Sequence, residues 1–267
     1  MELRYDTVTA IPPPLLSWSK NPENLCSLEE IPVHLQENDV ITFLADIGMY
    51  DATLYSLLNT AEKEQVQQFK SAYFKKRFTV SRYILRHILH HIMGTENTAD
   101  IILNKEKNGS VRVHNRPDIF ISLSYSGACI AVTVGKRKIG SDIERVRPVE
   151  MRKIRSSPFF ANLTGGNGKE DQNQHLLHVW TLLEAYAKFH DMSLYPLTHD
   201  RFFLPDTHFV SYLTDQRFIL SLASDARPMK DTLLWIDPTT CWLTSSGAGK
   251  KAACSPPLPE GDTYVRA

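Results

Sequence analysis

The stretch IGSDIE at 139–144 sets two carboxylates one residue apart within a short apolar run. This spacing predicts a strand in which Asp142 and Glu144 project to one face while Ile143 faces the core. Two carboxylates so close disfavour each other unless a cation or a donor lies between them. Hard divalent metals prefer such oxygens, but a solvated strand end is the simpler explanation of the pattern taken alone.

A second stretch, WTLLEAYAK at 180–188, has helical spacing. Trp180, Glu184 and Lys188 are four residues apart and share one helix face. An ordinary surface Glu–Lys pair would contribute only about 0.3 kcal/mol. Because a Trp on the same stripe indicates partial burial, the Glu184 carboxylate needs a partner. Asp142 and Glu144, together with a metal ion, could provide it.

Outside these two stretches, the predicted helices and strands alternate in each half of the chain. Apolar runs predict strands at 40–45, 119–121, 129–134, 139–144, 211–223 and 232–236. Helical spacing extends from Thr60, a candidate N-cap, to Gly94, and again over 175–189. The first forty residues are proline-rich and are expected to be irregular, and the polar stretch 164–174 to be a mobile loop. The alternation indicates an α+β or α/β protein in two lobes.

The composition excludes several classes of protein. Of 267 residues, 30 are Lys or Arg and 30 are Asp or Glu, so a globally basic nucleic-acid binder is not expected. No window approaches the ~18 apolar residues of a membrane span, and the N-terminus lacks a secretory pattern, so we expect no membrane partner. Four scattered cysteines without a C-x-x-C pair fit a reducing cytoplasm. The sequence therefore predicts a cytoplasmic protein with no nucleic-acid partner.

The two stretches together resemble the signatures of the 4′-phosphopantetheinyl transferases of the larger, surfactin-synthetase-activating type. Those signatures are (I/V)-G-(I/V)-D-(I/V)-E and, roughly forty residues later, W-(S/T)-x-K-E-A-x-x-K. Here 42 positions separate Asp142 from Glu184. SLSYS at 122–126 is similar to the family's N-(L/I)-S-H-S, and 58–86 to its first helical stretch. In that stretch the matching residues are Leu58, Glu62, Lys63, Phe69, Arg77, Phe78, Arg82, Leu85 and Arg86. The resemblance covers about residues 40–236.

This resemblance implies an α+β fold of two similar α/β lobes forming a pseudo-dimer, with the site between them. We expect an N-terminal lobe at 1–116, a C-terminal lobe carrying the metal site at 117–243, and a disordered tail at 244–267. The protein is expected to be a monomer.

The resemblance also implies an activity. The family transfers the 4′-phosphopantetheine arm of coenzyme A to a serine of an acyl or peptidyl carrier protein, releasing adenosine 3′,5′-bisphosphate. By matched position, Asp142, Glu144 and Glu184 would hold Mg²⁺ on the diphosphate. Lys188 would neutralise phosphate charge, and Glu184 or Glu144 would accept the serine proton. Arg77 matches a family residue that contacts the nucleotide's 3′-phosphate.

Ser124 and Tyr125 fall where the family contacts coenzyme A, but the sequence also departs from the family there. Tyr125 stands in place of His, and Leu183 in place of the Lys before Glu184. Both changes remove positive charge, which Lys63, Lys107 or Arg112 could restore. If Leu183 faces the site, Leu183→Lys should be tolerated.

The departures keep two other functions open. The chain could be a homologue that has lost catalysis and acts as a carrier-protein-binding module. It could also be another metal-dependent phosphotransferase that uses the same carboxylates.

Overall fold

The computed structural model describes residues 14–19, 25–26, 30–106, 109–148, 169–194, 207–215, 218–225 and 231–236. The helices are α1 (Ile31–Glu37), α2 (Thr60–Gln68), α3 (Ala72–Met93) and α4 (Lys169–His190), with short 3₁₀ turns at Ile47–Met49, Ala52–Leu57 and Thr98–Asp100. The strands are β1 (Leu15–Trp18), β2 (Leu25–Cys26), β3 (Val40–Asp46), β4 (Leu103–Lys105), β5 (Val111–Val113), β6 (Phe120–Ser126), β7 (Cys129–Gly135), β8 (Ile139–Arg145), β9 (His208–Thr214), β10 (Phe218–Ser224) and β11 (Asp231–Ile236). The predicted mixture of helix and strand is confirmed.

A five-stranded sheet, in the order β2-β11-β3-β7-β6, carries apolar side chains on both faces. Ile41, Phe43 and Ala45 of β3 belong to a core that includes buried residues of α3. Val40 and Leu44, on the opposite face of β3, belong to a second core. A strand covered on both faces gains from a continuous apolar run, which explains the composition of β3.

A four-stranded sheet, in the order β1-β9-β10-β8, packs against the other side of the second core. Ile139 and Ile143 of β8 enter that core, as do Leu220 and Leu222 of β10. The opposite face of this sheet is covered by α4, where Ala185 packs with its neighbours in β10. The layers therefore run α3, five-stranded sheet, shared core, four-stranded sheet, α4.

The same order of elements occurs twice. The first unit, β3–α3–β6–β7, and the second unit, β8–α4–β9–β10, each contain a strand, a 22-residue helix and an antiparallel hairpin. In each unit the hairpin's second strand pairs antiparallel with the first strand of the unit, through β7 with β3 and β10 with β8. The predicted lobe limit at 116/117 lies before β6, although β6 and β7 share a sheet with β3. The lobe limits stay predictions.

Two of the predicted element ends can be checked directly. Gly94 ends α3 as predicted, in the left-handed region at φ 62° that favours glycine. The N-cap of α2 was expected at Thr60, which is wrong, because Asn59 takes that place. Glu62 N–H donates to Asn59 Oδ1 (2.9 Å) and Asn59 N–H donates to Glu62 Oε2 (3.2 Å), which completes a capping box.

The secondary structure expected for three segments needs correction. The first forty residues contain β1, β2 and α1 rather than only loop. Residues 169–174 of the expected polar loop belong to α4, and 164–168 lie outside the described residues. The single strand expected at 211–223 is two, β9 and β10, which form a hairpin. The tail at 244–267 also lies outside the described residues.

Within the described ranges, no helix is both long and apolar enough to cross a membrane.

Candidate functional site

The site begins at Gly140, where α4 lies directly on β8. A Cβ at Gly140 would stand 2.0 Å from Ala185 O and 2.5 Å from Phe189 N, closer than any side chain can approach. Only glycine allows this approach of helix backbone to strand. This close approach places two residues of α4, Glu184 and Lys188, next to β8. They precede and follow Ala185 along the helix.

Carboxylates from β8 and α4 meet at one ammonium group. Lys188 Nζ lies 2.8 Å from Asp142 Oδ1, 3.9 Å from Glu184 Oε2 and 2.9 Å from Ser141 O. Asp142 is 1% exposed and Glu184 5%, so water screens these charges little. In this structure the cation between the two segments is Lys188. The partner expected for Glu184, a metal ion held with Asp142 and Glu144, stays a prediction.

Serines on β6 hold β8 and its carboxylates in register. Ser124 Oγ donates to Asp142 Oδ1 (2.6 Å) and accepts from Ile143 N–H (3.1 Å). Ser126 Oγ donates to Glu144 Oε2 (2.8 Å) and accepts from Arg145 N–H (2.8 Å). Each hydroxyl thus satisfies a backbone donor of β8 and a buried carboxylate at once. We call Ser122, Ser124 and Ser126 the serine ladder, since Ser122 Oγ likewise accepts from Ser141 N–H (2.9 Å).

Glu144 lies on the same face of β8 as Asp142 and is 7% exposed. Arg147 Nη2 lies 3.6 Å from Glu144 Oε2, on a side chain that is half exposed. The two carboxylates of β8 lie on one face of the strand, as predicted. Each accepts a hydrogen bond from one serine of the ladder. Each carboxylate thus has a hydroxyl donor of its own on β6, which differs from the expected single cation or donor between the two.

A cleft of about 410 Å³ lies between α3 and the C-terminal end of α4. It is lined by six cationic side chains, Arg77, Arg82, Lys105, Arg112, Lys138 and Lys188. Among the described lining residues the single carboxylate is Asp191, which is paired with Lys138 Nζ at 2.7 Å and with Arg112 Nη2 at 3.9 Å. The described lining therefore carries more cationic than anionic side chains, although several of the cations are paired, and this excess favours an anionic ligand.

Aromatic rings hold one of these cations in place. The guanidinium of Arg77 lies 4.7 Å from the ring centroid of Phe74 and 4.6 Å from that of Tyr125. Such cation–π contacts stabilise a fixed position of the guanidinium at the cleft wall. Tyr125 itself carries no positive charge, but it positions Arg77.

The structure brings together some of the predicted nucleotide-binding residues and not others. Arg77, Tyr125 and Lys188 all line the cleft, and so does Arg112, one of the suggested compensating cations. Ser124 is buried behind the cleft and bonds to Asp142 instead, and Lys63 is not among the lining residues. Lys107, also suggested, lies outside the described residues. The roles of all these residues in binding a ligand stay predictions.

The expectation that Leu183 faces the site is wrong. Leu183 is 0% exposed and packs with Leu176, Val179 and Tyr186 on a different face of α4. A lysine at this position would enter an apolar cluster and not the cleft. The position before Glu184 is therefore part of the apolar core in this chain.

Sequence reasoning missed two groups of residues. The serine ladder was not predicted as a group. Only Ser124 was assigned a role, in contacting coenzyme A, although hydroxyls at i, i+2 and i+4 of a strand predict one polar face. Glu62, Arg82 and Arg86 form a buried ion group in which Arg86 Nη1 lies 2.7 Å from Glu62 Oε2. The spacing of Arg82 and Arg86 by four residues was a usable signal.

Asp142, Glu144 and Glu184 are the predicted metal ligands. Across the described ranges, no group of three or more His, Cys, Asp or Glu side chains is arranged as a metal site. Asp142 Oδ2, however, is buried and has no hydrogen-bond partner among the described residues. A buried carboxylate oxygen without a partner is compatible with a hard cation as its missing neighbour. The Mg²⁺ site stays a prediction.

A cleft lined by cationic side chains suits a ligand that carries phosphate groups. No family model matches the chain. The chain is 25% identical over 130 residues to 4′-phosphopantetheinyl transferase psf-1 of Bacillus pumilus, covering 48% of this chain and 55% of that protein. It is 26% identical over 183 residues to 4′-phosphopantetheinyl transferase HetI of Nostoc sp. strain PCC 7120, covering 64% and 73%.

A third relative is 4′-phosphopantetheinyl transferase Sfp of Bacillus subtilis strain 168, 21% identical over 136 residues, which are 50% of this chain and 60% of Sfp. The resemblance drawn from the motifs is thus confirmed: the chain is similar to 4′-phosphopantetheinyl transferases. It spans little more than half the length of the first of these relatives, psf-1.

Proposed function

We propose that this chain is a Mg²⁺-dependent 4′-phosphopantetheinyl transferase. The substrates would be coenzyme A and the serine of an acyl or peptidyl carrier protein. The proposal is carried by one observation, the convergence of Asp142 and Glu184 on Lys188 at the edge of a cation-lined cleft. The repeated order of elements supports the further proposal of two similar lobes in a pseudo-dimer.

The reaction replaces a phosphoanhydride bond of the diphosphate with a phosphate ester bond to serine. The carrier serine oxygen bonds to the phosphorus that bears the pantetheine, and the bond from this phosphorus to the bridging oxygen of the diphosphate breaks. Adenosine 3′,5′-bisphosphate leaves. Such a transfer needs mainly positioning and charge stabilisation, which explains why no protein nucleophile is required.

Carboxylates of the site would hold the metal and accept the proton. Asp142, Glu144 and Glu184 would bind Mg²⁺, which neutralises charge on the diphosphate when bound. Glu184 or Glu144 would take the serine proton as general base, directly or through water. Lys188 would exchange its contact with Asp142 for the phosphate, a change that its half-buried, four-carbon side chain permits.

The cleft would bind the nucleotide part of coenzyme A. Arg77, between its two rings, offers a fixed guanidinium for a phosphate, and Tyr125 offers an aromatic surface beside it. Arg112 and Lys138 lie on the cleft lining and would add long-range attraction.

The test is direct. The chain is incubated with coenzyme A, Mg²⁺ and several apo carrier proteins, and each carrier is examined by mass spectrometry for the added phosphopantetheine arm. We expect the mass shift with coenzyme A and Mg²⁺, and its loss with EDTA. No modified carrier in any reaction would contradict the proposal.

A second candidate is the carrier-protein-binding homologue without catalysis. It is favoured by Tyr125 in place of His and by the burial of Leu183, which together leave the site with fewer cations than the family pattern. Carrier binding without transfer would select it. Nucleotide turnover without a modified carrier would instead select another phosphotransferase.

A further inference from the structure

Asp191 follows the last residue of α4 in a backbone conformation that favours glycine. Its φ is 57°, in the left-handed region. Asp191 N–H donates to Lys188 O (3.3 Å) and Met192 N–H donates to Ala187 O (2.8 Å), the pair of hydrogen bonds that ends a helix through a left-handed residue. A glycine at this position would end α4 in the same way with less strain. The termination of the helix therefore does not explain the carboxylate.

The negative charge of Asp191 is also unfavourable for α4. The C-terminal end of a helix carries the negative end of its dipole, where cations are favoured and anions are not. Two local preferences are thus broken at one residue, that of the backbone and that of the charge. Such a residue persists only where the surrounding structure compensates for it, and this pattern points to a function.

Two cations from distant segments supply the compensation. Lys138 Nζ lies 2.7 Å from Asp191 Oδ2, and Arg112 Nη2 lies 3.9 Å from the same oxygen. Lys138 directly precedes β8, and Arg112 belongs to β5. All three side chains line the cleft and are about one third exposed, so they face a bound ligand. The carboxylate lowers the charge of this group from two positive charges to one.

Aromatic rings keep both cations on the cleft lining. The Arg112 guanidinium lies 5.5 Å from the ring centroid of Phe120, and Lys138 Nζ lies 5.8 Å from that of Phe189. An anion that approaches these cations has to compete with Asp191, which already contacts them. It therefore gains less free energy than it would from two cations without a carboxylate between them.

We infer that Asp191 is a specificity-determining residue that weakens the binding of small free anions in the cleft. It occupies Arg112 and Lys138 and leaves the other cations of the lining to the ligand. A larger ligand can place its phosphate groups against those other cations and an uncharged part beside Asp191. Inorganic phosphate or pyrophosphate has no uncharged part. That coenzyme A is the larger ligand rests on the proposed function; the effect of Asp191 on small anions does not.

The inference is tested by calorimetric titration of the full chain with inorganic pyrophosphate. Asp191→Asn removes the charge and keeps a residue that tolerates the left-handed region, so pyrophosphate should bind about 5- to 20-fold more tightly. Asp191→Gly suits the backbone better still and should give a similar gain. The matched control is Asp118→Asn, an exposed carboxylate paired with Arg116 outside the cleft lining, which should stay within about twofold of the parent chain.

A double variant shows whether the gain comes from charge. Asp191→Asn combined with Lys138→Gln restores the net charge of the parent cleft and should return the pyrophosphate affinity to within about threefold of the parent value. If Asp191 served only to end α4, Lys138→Gln would not reverse the gain. A double variant that binds pyrophosphate as tightly as Asp191→Asn alone would overturn the inference.

Titration with coenzyme A separates specificity from general attraction. Its affinity should rise by less than that of pyrophosphate in Asp191→Asn, and an equal rise for both would overturn the inference. So would equal pyrophosphate affinity, or no binding at all, in the parent chain and in both single variants of Asp191, with circular dichroism confirming that they fold. Failure of the parent chain to modify any carrier would remove the coenzyme A assignment, while the pyrophosphate comparison would still stand or fall by itself.

Discussion

The two repeated units begin with seven-residue strands, β3 and β8. The side chains of both strands are apolar toward the shared core, but toward the helices those of β3 are apolar and those of β8 include two carboxylates. Toward the shared core, Val40 and Leu44 of β3 correspond in order to Ile139 and Ile143 of β8. Toward the helices, β3 presents Ile41, Phe43 and Ala45, whereas β8 presents Gly140, Asp142 and Glu144. The same arrangement of strand and helix thus holds an apolar contact in the first unit and a charged site in the second.

The largest effect should come from removing the charges that distinguish β8. Asp142→Ala and Glu184→Ala should each reduce carrier modification by more than about 100-fold, because each removes a group that the proposed site uses to bind the metal. Mass spectrometry of the carrier measures the loss, and circular dichroism checks the fold. Asp118→Ala, an exposed carboxylate outside the cleft lining, is the control that should retain activity. Near-normal transfer in either site variant would show that the charged face of β8 is not the site.

Leu183→Lys tests whether the face of α4 that carries Leu183 is apolar core, unlike the face that carries Glu184 and Lys188. Since Leu183 lies wholly in an apolar cluster, a lysine there should lower the free energy of unfolding by about 3–5 kcal/mol. Urea denaturation compares it with Leu57→Lys, in which the native leucine is 56% exposed and the expected change is within about 0.5 kcal/mol. Equal stability of the two variants would mean that Leu183 can reach solvent after all.

Gly140→Ala and Ile41→Ala test the first helix-facing position of each strand. The added methyl group at Gly140 meets Ala185 O, so α4 must move, with a loss of about 1–3 kcal/mol and of transfer activity. Ile41→Ala should cost about 2–4 kcal/mol in stability but leave activity intact at a temperature where the variant is folded. Thermal denaturation and the carrier assay separate these outcomes. Full activity in Gly140→Ala would argue against the need for close approach.

The smallest effect should come from the serine ladder. Ser126→Ala removes the donor to Glu144 and should lower the rate of transfer by about 3- to 10-fold, consistent with one lost hydrogen bond to a charged group. Ser122→Ala is its control, since Ser122 serves backbone atoms of Ser141 and no carboxylate. Steady-state kinetics should show the rate loss in Ser126→Ala only. A matching loss in both would indicate a general loosening of β8.

Local pattern was enough to predict much of this arrangement. The alternation in IGSDIE predicted which side chains of β8 share a face, and the four-residue spacing of Glu184 and Lys188 predicted the face of α4 that meets them. Both follow from fixed periods of strand and helix. What failed were the inward direction of Leu183 and the partition of 211–223 into a hairpin, which depend on packing. The N-cap at Asn59 was a local signal that went unused, because Glu62 follows it by three residues as in a capping box.

The site itself was predictable only in outline. Sequence order could bring Asp142 and Glu184 into one hypothesis, but it could not show that Lys188 lies between them or that Ser124 turns away from the cleft toward Asp142. These outcomes depend on how closely α4 packs on β8, which is set by three-dimensional contact at Gly140. Arg82 also belongs to the quoted motif, but the motif alone does not show that it is buried beside Glu62.

The first and last described strands, β1 and β11, pair with opposite units. β1, from the beginning of the described chain, pairs in parallel with β9 of the second unit, and β11, from its end, pairs in parallel with β3 of the first. Each unit therefore depends on a segment from beyond its own borders. Fragments cut between Gly135 and Ile139 should not fold independently when expressed alone, and the intact polypeptide should melt in a single cooperative transition.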